Sequence, residues 1–148
     1  MFRLQSTPLD PGAAYRDFAK AVADAGAIVT FTGVVRPDAN GAPVRKLTLE
    51  AYSPLTEREA EAATAMAESR WPLLAAMAIH RVGDMAPGDP IVFVATASRH
   101  RRAAFEAADF LMDYLKTEAV FWKKEWTDAG AHWIEPRPDD HADRRRWG

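Results

Sequence analysis

The spacing of apolar positions changes several times along the 148-residue chain, and each change marks an element. After Asp10-Pro11, a capping residue followed by a first-turn proline, Tyr15, Phe18, Ala19 and Val22 recur at helical spacing until Gly26. That predicts a first amphipathic helix. The segment "AIVTFTGVV" (27–35) is β-branched and aromatic, and "VRKLTLEAY" (44–52) alternates Leu47, Leu49 and Ala51 against Thr48 and Glu50. Two strands are expected there, around a mobile polar loop, "RPDANGAP". Thr56, with Glu59 three residues on, reads as a capping box that opens an alanine-rich helix ending near Trp71-Pro72.

Farther on, "LLAAMAIHRVGDM" and "PIVFVATAS", joined by the turn "APGD", predict two more strands. Ser98 is placed to cap a third helix whose buried stripe is Phe105, Ala108, Met112 and Leu115, with Lys116 at its end. The segments "VFWKKEW" and "HWIE" on either side of "TDAG" predict a closing hairpin, and residues 136–148 read as a polar tail. The order αββαββαββ mixes helices with hairpins instead of repeating βα units. It predicts an α+β fold with a mostly antiparallel sheet and three main helices, in one domain spanning 1–148.

Composition narrows the function more than the fold. Hydrophobic residues at 48% and charged residues at 27% can sustain a packed core, so no segment is expected to be disordered. A net charge of -2 gives no whole-molecule field for nucleic acid or an anionic membrane, so any anion site must come from local clustering. The chain has no cysteine, which removes disulfides, thiolate metal sites, thiol nucleophiles and persulfide carriers together. The start lacks the apolar core of a signal peptide, and the longest apolar run, "WPLLAAMAI", is about half the ~20 residues of a membrane helix. The cytoplasm is the expected address.

No phosphate-binding glycine loop, nucleophile elbow or zinc spacing is present, and His80, His100, His132 and His141 stand singly. No metal and no cofactor is therefore expected, and His80, inside an apolar strand, reads as a hydrogen-bonded core or edge residue. What remains is a set of cations at element ends. Arg36 follows "FTGVV", and "SRHRR" puts His100, Arg101 and Arg102 in the first turn of a helix, where positive side chains oppose the dipole unless an anion is bound. Arg102 reads as the bystander.

The stretch "YLKTEAVFWKKEW" sets Lys116, Lys123 and Lys124 among Tyr114, Phe121, Trp122 and Trp126. If the helix runs on, Lys116 and Lys123 share a face; if it breaks near Glu118, Lys116 caps the helix and Lys123 lies on the next strand. Either way the two amines can converge, and an apolar, cation-rich wall lowers a lysine pKa toward neutrality. The plainer alternative is a lysine favoured at a helix C-terminus and another on the wet face of a strand.

Taken together, "GAIVTFTGVVR", "LTLEAYSPLTE", "IHRVGDMAPGDPIVFVATAS", "RHRRAAFEAADFLMDYLKT" and "FWKKE" resemble the large, catalytic subunit of molybdopterin synthase, the MoaE family, in order from about Gly26 to Pro136. The resemblance implies an α/β hammerhead fold and a homodimer. It also implies a heterotetramer with two copies of a small ubiquitin-like sulfur carrier, MoaD-like, ending in a Gly-Gly thiocarboxylate. The implied reaction puts two sulfurs onto cyclic pyranopterin monophosphate, forming the dithiolene of molybdopterin. Absence of cysteine fits, because the sulfur arrives on the partner. By position, Lys116 and Lys123 match the family's active-site lysines, while Arg36, His100 and Arg101 match its substrate and anion pocket. Arg137, after "WIEP", is a weaker match to a pocket arginine. Phe31 and Met112 lie near that pocket in the family pattern, and part of the pocket can come from the other subunit.

Two other readings compete. The aromatic and lysine residues of 121–126 could serve as a stacking platform for single-stranded nucleic acid or a nucleotide, although the near-neutral charge weighs against it. Alternatively the chain is a non-catalytic binder that docks a ubiquitin-like tail along a sheet edge.

Overall fold

The computed structural model describes residues 1–148. The elements run β1 (Phe2–Gln5), α1 (Pro11–Ala21), β2 (Ala27–Val34), β3 (Asp38–Ala39), β4 (Ala42–Ala51), α2 (Leu55–Arg70), β5 (Leu73–Arg81), β6 (Gly83–Met85), β7 (Pro90–Ser98), α3 (Arg101–Thr117), β8 (Phe121–Thr127), β9 (Gly130–Ile134) and α4 (Pro138–Arg145). They form two sheets. One has the order β1-β5-β7-β2, antiparallel except for the parallel pair β1/β5. The other has the order β3-β4-β8-β9, with β6 also paired to β4. The α+β class and the mostly antiparallel pairing agree with the sequence reading.

The framework is organised by β7, whose residues 92–98 are all buried. Its continuous apolar run is what a strand covered on both faces requires. Val92 and Val94 pack with Ala60, Ala63 and Ala67 of α2 and Phe110, Leu111 and Leu115 of α3. Phe93, Ala95 and Ala97 face Phe18 and Val22 of the α1 segment. A smaller core of Val35, Val44, Leu47, Leu49 and Met85 closes the second sheet. The seam between the sheets is where α3 ends and β8 begins.

Several local expectations are corrected. The polar loop after Arg36 is a tight hairpin of β3 on β4, because Asn40 (φ 51°) and Gly41 (φ 83°) both take the left-handed conformation that an Asn-Gly turn supplies. The expected strand 73–85 is two strands in different sheets, broken where Gly83 adopts φ 98°. Thr56 is not the cap of α2, which is Pro54; its hydroxyl accepts from the Tyr52 N–H at 2.8 Å and donates to the Val120 carbonyl. Ser98 ends β7 and donates to the Pro72 carbonyl at 2.9 Å, leaving His100 as the cap position of α3.

In α3 the buried stripe is Ala104, Ala107, Ala108, Leu111 and Leu115, whereas Phe105 is 60% exposed. The polar tail also carries a helix that the sequence reading did not name, for Pro138 opens α4, with the Asp140 carboxylate accepting from the Arg137 N–H at 2.9 Å. Trp147 then packs edge-on against Trp71 and Phe110, and Arg146 Nη2 reaches Asp109 at 2.7 Å and Asp113 at 3.0 Å. This anchoring turns the tail back over the end of α3.

Candidate functional site

Helix α3 stops at Thr117, where the Glu118 N–H donates to the Tyr114 carbonyl as the final cap. The chain reverses through Ala119-Val120, pinned by the Thr56 hydroxyl, and enters β8. Lys116 is therefore in the last helical turn, where the dipole favours an ammonium, and Lys123 is on the strand. Alternation on β8 divides its side chains. Lys123 pairs in register with Leu49 and Ile134 and faces inward with Phe121 and Glu125. Lys124 pairs with Thr48 and Trp133 and lies outside, its ammonium 4.7 Å from the Trp126 ring and 5.2 Å from that of Trp133. Of the three lysines in the stretch, two serve the hollow and one covers aromatic surface.

Lys123, from inside, and the exposed Lys116 meet Arg36 and Arg137 in one cavity of about 340 Å³. Arg36 arrives from the end of β2 and Arg137 from the turn into α4. Both guanidinium groups stand largely in solvent at the rim, while Lys123 lies inside. The two rim cations are already engaged: Arg36 Nη2 is 3.9 Å from Glu125, and Arg137 Nη2 is 3.1 Å from Asp140. Neither Lys116 nor Lys123 has such a partner, so two amines converge with donors to spare. Burial pushes the Lys123 ammonium down to about 8, and the charges of Lys116 and Arg36 add to that against the pull of Asp140.

A second cavity, of about 300 Å³, adjoins the first and shares Lys116, Lys123 and Leu115 with it. Phe31, Met112 and His80 line its far side. Volumes of this size suit a small organic ligand or an extended peptide end. Together the two spaces offer a cationic mouth, two amines in the middle and an apolar back wall.

His100 and Arg101 are not part of this hollow. They are exposed at the opposite end of α3, and fifteen helical residues at 1.5 Å each put Arg101 about 22 Å from Lys116. That end is unusual in its own right, since it has no side-chain cap and no acidic residue in its first turn. Its corner is tight, because Gly26 lies against Arg99 and a Cβ there would stand 2.1 Å from the Arg99 carbonyl oxygen. Arg102 is likewise exposed.

Two residues near the lysines, Glu125 and Asp140, escaped the sequence reading, and a third, His80, was read correctly as a hydrogen-bonded core or edge residue but not placed beside the lysines. Glu125 was discoverable, because strand alternation puts residues 121, 123 and 125 on one face. Asp140 needed the tail to be seen as a helix, for which Pro138-Asp139-Asp140 is a fair start signal. His80 was noticed, but nothing local shows that its strand passes under the lysines.

Fold and hollow define the class: an α+β protein whose cavity has a cationic mouth and two lysine amines without an ion-pair partner. The sequence profile of the MoaE protein family matches residues 4–118. Named molybdopterin synthase catalytic subunit, a Yersinia pestis protein is 54% identical over 122 residues, covering 82% of this chain and 81% of its own. A Cereibacter sphaeroides protein of the same name is 49% identical over 144 residues, covering 97% of each chain. In solved structures, the molybdopterin biosynthesis MoaE protein from Burkholderia ambifaria superposes with a TM-score of 0.82 at 40% identity, covering 100% of this chain and 98% of that one. The chain belongs to the MoaE family.

Proposed function

We propose that this chain is the catalytic subunit of a molybdopterin synthase, moving two sulfurs from the thiocarboxylate of a small ubiquitin-like carrier to cyclic pyranopterin monophosphate. The convergence of Lys116 and Lys123, unpaired, between a cationic mouth and an apolar wall carries the reading. Relatives named as a catalytic subunit support it, because such a name implies a second chain, and a chain without cysteine has no thiol of its own to carry the sulfur.

The chemistry follows from the groups present. The thiocarboxylate sulfur attacks a substrate carbon as an oxygen substituent leaves that carbon and takes up a proton, which joins carrier and substrate through a thioester. Water then attacks the thioester carbonyl, leaving a thiolate on the substrate and a carboxylate on the carrier. Lys116 stabilises negative charge at the attacked centre and passes protons, and Lys123, charged below about pH 8, grips the phosphate. Arg36 and Arg137 hold anionic groups at the mouth. Binding both reactants in one hollow supplies proximity that collision in water does not.

His100 and Arg101 enter through a second copy of the chain, each copy lending its α3 N-terminus to the other's lysines. The unopposed positive charge at that helix start supports this arrangement, as does its distance from the chain's own cavity. The test mixes two inactive proteins, Lys116→Ala and the double variant His100→Ala/Arg101→Ala, under conditions of subunit exchange. In half of the mixed population the dimer is heterologous, with one intact site of two, so about a quarter of parental dithiolene formation returns. No recovery on mixing, with exchange verified by mass, contradicts the shared site; no dithiolene from the parent protein contradicts the function.

A further inference from the structure

We infer that His80 is a ligand-contacting residue, whose Nε2 accepts a hydrogen bond from an N–H group of the molecule bound in the second cavity. The ring is held firmly. It is 5% exposed on β5 and stacks on the Phe121 ring at 4.0 Å between centroids. Its Nδ1 lies 3.1 Å from the Arg81 carbonyl oxygen. A carbonyl only accepts, so Nδ1 carries the hydrogen, and in the neutral ring Nε2 is then a bare lone pair. The ring is neutral because burial pushes its pKa down to about 3, with Lys123 and Lys116 adding to the effect against the Arg81 hydrogen bond.

Nε2 has no hydrogen-bond partner in the chain, yet it is not sealed in the core, where only Arg81 Nε and Arg144 Nε are enclosed without a hydrogen bond. His80 lines the second cavity, and with Nδ1 turned to the Arg81 carbonyl, Nε2 is the ring nitrogen left to face it. A core histidine accounts for the stacked ring and for Nδ1, but it leaves Nε2 as an acceptor to which no group of the chain donates, although Lys116 and Lys123 line the same cavity, and that costs stability unless a ligand donates to it. Lys116 and Lys123 bring only donors to that space, and Phe31 and Met112 bring apolar surface. An acceptor beside them selects a ligand edge carrying N–H. Its low pKa also excludes His80 as a store of protons at neutral pH, so the role is recognition and not base catalysis.

The identity of the ligand rests on the proposed function, which supplies two sources of such an N–H: a backbone amide of the carrier's Gly-Gly end, or the ring of the pterin. The experiment separates them. His80→Phe keeps the stacked ring and deletes the acceptor, whereas His80→Gln places an amide oxygen near the position of Nε2. Calorimetry measures binding of the carrier in its carboxylate form, which cannot turn over, and separately of cyclic pyranopterin monophosphate. His80→Phe weakens one of the two by about ten- to a hundred-fold, and His80→Gln retains that affinity to within about five-fold. The ligand that is lost identifies the donor.

Unchanged binding of both ligands by His80→Phe overturns the inference, and so does a loss in His80→Gln as deep as that in His80→Phe. Should His80→Phe not fold, nitrogen NMR of the parent protein decides: the Nε2 resonance moves on adding one of the ligands, and no movement with either overturns the contact. Weakened binding in a protein that never forms dithiolene overturns the proposed function while upholding the His80 contact.

Discussion

Replacing Lys123 by methionine removes a charge that the fold holds against its preference while keeping the apolar stem. The ammonium falls from 10.5 to about 8 on folding, a difference of about 2.5 at 1.36 kcal/mol per pKa unit, or about 3 kcal/mol at pH 7. Methionine has a similar volume and no charge to desolvate, and it also relieves repulsion from Lys116. The variant is therefore more stable than its parent at pH 7 by about 1–3 kcal/mol, a rise in Tm of roughly 3–10 °C. The sign of the pH dependence follows from linkage. The folded pKa lies below the unfolded one, so the cost is complete below about pH 8 and is relieved as pH rises toward 10.5. Melting curves at pH 7 and pH 10, followed by circular dichroism, should show the advantage shrinking at the higher pH. Dithiolene formation by the same protein should fall at least a hundred-fold, or about 3 kcal/mol in the barrier. A variant no more stable than the parent at pH 7, or an advantage independent of pH, would refute the claim that Lys123 is held desolvated.

Other consequences test the same geometry. Affinity for the pterin phosphate should weaken as pH rises through about 8, where Lys123 loses its proton, and Lys123→Arg should keep it flat to higher pH, as measured by calorimetry in a pH series. Gly26→Ala should lose about 2 kcal/mol or more in denaturant melts, because its Cβ would meet the Arg99 carbonyl at 2.1 Å, and the strain falls next to His100.

The sequence was most legible where a period persists. The α1, α2, β2, β4, β7 and α3 segments announced themselves by spacing, and the pair Lys116 and Lys123 by their aromatic setting. Pairing across the molecule was not legible. Nothing local says that β2 and β4, successive long strands, belong to different sheets, or that Gly83 sends β6 away from β5. Phe105 was misassigned because an aromatic on a helix draws attention, whereas the alanines of α2 and α3 bury more completely and let the helices approach closely. The helix in the polar tail went unread because its charges have no apolar period; Trp147 and the Arg146 pairs to Asp109 and Asp113 hold it from outside. His100 and Arg101 were grouped with the lysines by family likeness, and one chain's geometry keeps them a helix length apart.

The most direct test of the sulfur-transfer account is a mass measurement of the pterin product. Protein, thiocarboxylated carrier and cyclic pyranopterin monophosphate are incubated at pH 7, with Lys116→Ala in parallel and carrier binding checked for both. The account predicts a product bearing two added sulfurs from the parent protein and none from Lys116→Ala, which still binds the carrier. Two-sulfur product formed at the parental rate by Lys116→Ala would contradict it.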